Sequence, residues 1–140
     1  MIRITIPIVP KAQKRDRIGT RGGHGFSYKD KAQKLEEDKL LTFLMASRPP
    51  VPLSGAISLE IRVYLPISQS KPKKWREKAS VGIILPLVKP DFDNLAKQIS
   101  DVMNGVFFVD DKQVCEAHIY KRYADVLGPR WEIILHETKQ

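Results

Sequence analysis

The sequence predicts an α+β domain, a mixed β-sheet with helices packed mainly on one face, formed by residues 1–140 as a single domain. Three observations predict it. Apolar residues alternate with polar ones near the start and again from residue 57, apolar positions recur at helical spacing from residue 95, and neither an internal repeat nor a linker divides the chain. A chain of 140 residues buries about 70% of the surface it exposes when unfolded, enough for a real core. With 42% hydrophobic and 29% charged residues, the composition excludes a disordered chain, and no membrane-scale apolar run is present.

Ile2, Ile4, Ile6 and Ile8 alternate with Arg3, Thr5 and Pro7, the pattern of a strand with one buried face, and Pro7 places its end at a sheet edge. Residues 11–26 hold four glycines among basic side chains and no apolar period, which predicts a mobile basic loop. Ser27, with Asp30 three residues later, resembles a capping box. It opens a helix whose apolar face is Ala32, Leu35, Leu40, Phe43 and Leu44, stopped by Pro49, Pro50 and Pro52. Residues 57–65 form the cleanest strand, closed by Pro66. A helical turn fits residues 72–78; from Asp93 the positions Leu95, Ile99, Val102, Met103 and Val106 recur at helical spacing, and Asn104-Gly105 makes a C-terminal stop. Strands over residues 113–123 and 130–136, joined through Gly128-Pro129, complete the order.

Lysine and arginine outnumber aspartate and glutamate by 24 to 16, a net charge of +8 that favours a polyanionic partner. Lys11, Lys14, Arg15, Arg17 and Arg21 form one basic cluster, and Lys71, Lys73, Lys74, Arg76 and Lys78 form another. With Lys89, most of these are the candidate contacts to a DNA backbone; the competing reading is a pair of solvated loops. The single cysteine, Cys115, excludes an internal disulfide and reads as a small core residue. No Cys/His spacing fits zinc, so a reducing compartment and a cytoplasmic location are expected. The alternating start does not read as a signal peptide. His24, His118 and His136 are dispersed and take no catalytic role, and Trp75 is read either as a base-stacking residue or as one packed on the sheet.

Acidic residues gathered within this basic chain are its most informative feature: Asp91 and Asp93 beside Lys89, then Asp110-Asp111. If the backbone stays extended up to the helix, Asp91 and Asp93 point to one side about 6.6 Å apart. Two such carboxylates suit one magnesium ion, which takes oxygen ligands and keeps several waters, with manganese as the alternative; Asp111 is the expected third ligand. Lys97, one helical turn beyond Asp93, is placed to offset charge building on a phosphate. Asn94 is placed to hold a water or an aspartate. The structural alternative makes Asp93 an N-cap in a surface ion pair with Lys97, Asp110-Asp111 a turn, and Asp101 a solvated helix residue.

The run Lys89-Pro90-Asp91-Phe92-Asp93-Asn94-Leu95 with Lys97, followed by Asp101, Asn104-Gly105 and Asp110-Asp111-Lys112-Gln113-Val114, resembles the RusA family of crossover-junction endodeoxyribonucleases. The likeness extends more weakly over nearly the whole chain. It implies a homodimer whose two sites nick symmetrically related strands of a four-way junction in DNA recombination and repair. Catalysis would rest on Asp91, Asp93, Asp111 and Lys97, with magnesium on the three aspartates. Phe92 stands where the family often has leucine. A non-catalytic DNA-binding module is the competing reading. A nucleotide-sugar transferase using an Asp-x-Asp site is disfavoured, since the chain is short and lacks a phosphate-cradling glycine motif.

Overall fold

The structure, a computed structural model, describes residues 1–13, 17–28 and 30–139, and only the backbone of Arg17. The elements are β1 (Ile2–Ile6), β2 (Arg17–Arg21), β3 (His24–Tyr28), α1 (Lys31–Met45), β4 (Ala56–Leu65), α2 (Lys73–Ser80), α3 (Phe92–Met103), a 3₁₀ turn (Asp111–Gln113), β5 (Val114–Tyr123) and β6 (Arg130–Thr138). A four-stranded sheet has the order β1-β6-β4-β5. β1 and β4 run antiparallel to β6, and β5 runs parallel to β4. The expected mixed α+β architecture is therefore present, and β1 does lie at an edge.

Alternation in β4 buries Ile57, Leu59, Ile61, Val63 and Leu65 and leaves the intervening side chains half-buried. That buried face meets Leu40 and Leu44 of α1, Leu95, Ile99 and Met103 of α3, and Trp131 and Ile133 of β6 in one core. The parallel pairing of β4 with β5 requires a crossover, supplied by the chain through α2 and α3. Gly105, at φ +76 just past the Asn104 cap, occupies the left-handed conformation that ends α3, so the predicted stop is correct.

Several expectations change. The basic loop contains a hairpin, with β2 and β3 paired from Arg17↔Tyr28 to Arg21↔His24 and turned through Gly22 and Gly23 at φ 58 and 78. Two glycines at positive φ match a tight hairpin turn, but the flanking strands bury no face and so leave no period to detect. Ser27 belongs to β3, and Asp30 caps α1 by accepting from the N–H groups of Ala32 and Gln33. Leu35 and Phe43 are exposed, because the buried stripe of α1 runs through Gln33, Leu40 and Leu44. Cys115 is exposed, not in the core, since residues 115–118 of edge strand β5 lie open to solvent. Trp75 is half-buried with its ring edge-on to Tyr123 at 5.3 Å, which favours packing on the sheet.

Candidate active site

Helix α3 sets the site. Its inward face carries Leu95, Gln98, Ile99, Val102 and Met103, all buried, so the first turn and Lys97 are left on the solvent side. The Lys89–Pro90 peptide is cis. Asp91 is the N-cap and Asp93 lies within the first turn, so the helix begins at Phe92, one residue before the expected start at Asp93, and the two carboxylates are not related by an extended backbone. Both carboxylates nevertheless line one open cleft, together with Lys89, Phe92, Leu87 and Val88 of the preceding segment and Lys121 of β5. Lys121 also donates from Nζ to the carbonyl of Val88, which ties that segment to the sheet.

Ordinary structural duties do not occupy these aspartates. Asp91 makes no side-chain capping bond, and Lys97 pairs with Asp101 at 3.1 Å, not with Asp93. Among the described residues, neither Asp91 nor Asp93 takes a hydrogen bond or an ion pair. Two unengaged carboxylates beside an open cleft fit a hard divalent cation.

Asp111 stands elsewhere. The 12 residues of α3 rise about 18 Å, and the turn that follows bonds to Leu53 and Gly55, which precede the start of β4. Lys121, by contrast, lies seven residues along β5 from Val114, about 23 Å. Asp111 therefore sits at the opposite end of the helix from Asp91 and Asp93, and the expected return of this residue within one chain does not occur, because the long helix carries the chain away. Among the described residues, no three His, Cys, Asp or Glu side chains gather as a metal site. Asp110 has a structural duty: it caps the 3₁₀ turn by accepting from Lys112 N–H, while Gln113 Oε1 accepts from its own N–H. The Lys112 N–H, first, and then the Asp111 side chain hold its carboxyl below the usual aspartate value.

Of the expected DNA contacts, Lys11, Arg21, Lys71, Lys73 and Lys74 are exposed, and Lys89 lies in the cleft itself. Lys14 and Arg15 lie outside the described residues, as does the side chain of Arg17. Arg76 is half-buried and donates to Lys71 O and Gln69 Oε1, so it braces the start of α2. Asn94 bonds neither aspartate: its Oδ1 accepts from the Gln13 N–H at 2.7 Å and its Nδ2 donates to the Gln13 carbonyl at 3.3 Å. The sequence reading missed Lys121, which lies 30 residues from Asp91 in the chain and joins it only through the sheet.

A match to the family of endodeoxyribonuclease RusA spans residues 7–136, taking in the cleft, Lys97, Asp111 and the basic hairpin. The chain belongs to the RusA endodeoxyribonuclease family. A relative, the uncharacterised protein YqaN of Bacillus subtilis (strain 168), is 36% identical over 141 residues, covering 98% of this chain and 96% of its own length. RusA membership makes the chain one of a family of DNA-cutting hydrolases, in agreement with the fold and with the resemblance carried by the aspartate motif. Among the described residues of this RusA-family chain, no helix is long and apolar enough to cross a membrane.

Proposed function

We propose that this RusA-family chain is a magnesium-dependent homodimeric endonuclease that resolves four-way DNA junctions by paired symmetric cuts, in recombination and repair. The observation that carries this reading is the pair of unengaged carboxylates, Asp91 and Asp93, in a cleft whose other charged side chains are Lys89 and Lys121. Magnesium, or manganese in its place, would be held by these two and by Asp111. Because one chain keeps Asp111 at the far end of α3, the third ligand comes from the partner subunit. Two α3 helices lying antiparallel across a two-fold axis bring each Asp111 to the other chain's Asp91 and Asp93. The apolar side chains exposed at the cleft, Leu87 and Phe92, are surface of the kind that an assembly covers.

Held by these carboxylates, magnesium would supply Lewis-acid polarisation of a phosphate oxygen and a lowered pKa for an attacking water. Lys89 and Lys121 hold the phosphate backbone against the carboxylates, and the Lys97 ammonium offsets charge developing on the phosphate or the leaving oxygen. The exposed cations of the hairpin and of α2 position the arms of the junction without reading bases. Two-fold symmetry in the enzyme matches two-fold symmetry in the substrate, so each junction receives opposed cuts.

The experiment is a cleavage assay on labelled four-way junction and on duplex, with magnesium or with a chelator, using wild-type protein and Asp91→Asn. Nicking of the junction by wild-type protein alone, only with metal, and with binding retained by Asp91→Asn supports the reading. Metal-independent binding without any nicking, or near-normal cutting by Asp91→Asn, removes it and leaves a non-catalytic DNA-binding module.

A further inference from the structure

We propose that Asp101 is a positioning residue that holds the Lys97 ammonium and couples it, through Gln13, to segment 11–13, which precedes the basic hairpin in the chain. One carboxylate oxygen, Asp101 Oδ2, accepts from Lys97 Nζ at 3.1 Å and from Gln13 Nε2 at 2.9 Å. Gln13 is itself clamped to α3, since its N–H and carbonyl both bond Asn94, and Gln98 Nε2 donates to Lys11 O and to Asn94 Oδ1. Gln13 Nε2 further reaches Glu37 Oε1 of α1 at 3.4 Å. Segment 11–13, which leads into the hairpin, is thus pinned along one stripe of the helix that carries the site, and the stripe ends on the partner of Lys97.

Stability does not account for this arrangement. An exposed i,i+4 ion pair contributes little to stability, and the order found here, cation before anion, is the weaker one against the helix dipole. What the shared oxygen does supply is geometry. A free lysine samples many rotamers, whereas one held by a carboxylate that a second donor orients keeps its ammonium on the face of α3 that follows Asp93. Holding segment 11–13 against α3 and placing Lys97 then become one event. The catalytic part of this inference rests on the proposed nuclease reading; the coupling itself does not.

The test therefore has two readouts on the full-length protein. In the first, the side-chain NMR signal of Lys97 is compared in wild-type, Asp101→Asn and Gln13→Ala proteins, with Lys112 as a remote control. Both substitutions are expected to move the Lys97 signal and leave that of Lys112 in place; an unmoved Lys97 signal in Gln13→Ala overturns the coupling. In the second, single-turnover cleavage of a bound four-way junction is expected to slow about tenfold in each single variant, with affinity changed by less than about twofold. The Gln13→Ala/Asp101→Asn double variant should be no slower than the slower single one, and Asp101→Asn should add nothing in a Lys97→Ala background. Additive losses overturn the positioning role. If wild-type protein cuts no junction at all, the nuclease reading fails, and the NMR comparison alone decides whether the bridge exists.

Discussion

Asp91 and Asp93 differ from most acidic residues at a helix start because the helix asks nothing of their side chains. That freedom is what makes charge removal informative: Asp93→Asn keeps the shape and the hydrogen-bonding capacity of the side chain but weakens the proposed oxygen ligand. The expected outcome is loss of metal-dependent junction cleavage by at least about a hundredfold, a transition-state difference of about 2.7 kcal/mol, with junction affinity equal to or above wild-type in a gel-shift titration. At the same end of the sheet as Lys121, Arg130 is buried and donates to Asp125 at 2.8 Å and to Glu132 at 2.7 Å, with its guanidinium 3.8 Å from the centre of the Tyr64 ring. The Arg130 bonds hold the Asp125 carboxyl below the usual aspartate value. A lowered native value means that the stabilisation is present above the unfolded aspartate value and is lost as pH falls through the native one. Asp125→Asn should accordingly lower the urea midpoint at neutral pH while making it less sensitive to acid below the usual aspartate range. Parallel acid dependence in both proteins would deny the pair this role.

At the level of elements, α3 serves the core and the site with opposite faces. Leu95 and Ile99 are fully buried, so Ile99→Ala should destabilise the fold by about 2–5 kcal/mol in urea titration through lost burial and a residual cavity. The hairpin β2–β3 behaves differently. All five β3 residues are exposed, and its turn depends on Gly22 and Gly23 at positive φ, where a side chain costs about 1–2 kcal/mol each. Replacing both with valine should weaken junction binding and its salt dependence, while the midpoint of global unfolding stays near wild-type, since the hairpin buries none of the core. Unchanged affinity would deny the hairpin a part in holding DNA. The helix α3 and strand β4 were legible because burial on one side imposes a period on the side chains. The hairpin was not legible, since a strand pair without a buried face carries no such pattern and only its paired glycines hinted at a turn.

For the molecule as a whole, the proposed division of the ligand set between two subunits makes a prediction that no single-chain site shares. Asp91→Asn and Asp111→Asn homodimers should both be inactive, yet mixing them under exchange conditions should restore single nicks. In the mixed dimer one site inherits both substitutions and the other inherits neither, so random pairing leaves about a quarter of the wild-type sites intact. Asp91→Asn mixed with Asp93→Asn should stay inactive, because every site then carries a lesion. Absence of complementation in the first mixture, with exchange verified by mass, would place the three carboxylates outside a shared site.

From the sequence alone, the α+β class, the strand and helix that build the core, the basic character and the aspartate motif with Lys97 were all determined. Each is written in a local pattern, whether a period, a cap, a turn or a short spacing. Only the tertiary structure decided that Lys121 joins the aspartate cleft, that Asn94 and Asp101 grip the segment leading to the hairpin, and that Asp111 lies a helix length away from its expected partners. Those relations depend on how a parallel crossover places chain ends that are 20 to 90 residues apart in sequence, and local side-chain pattern carries no record of where a crossover delivers its ends.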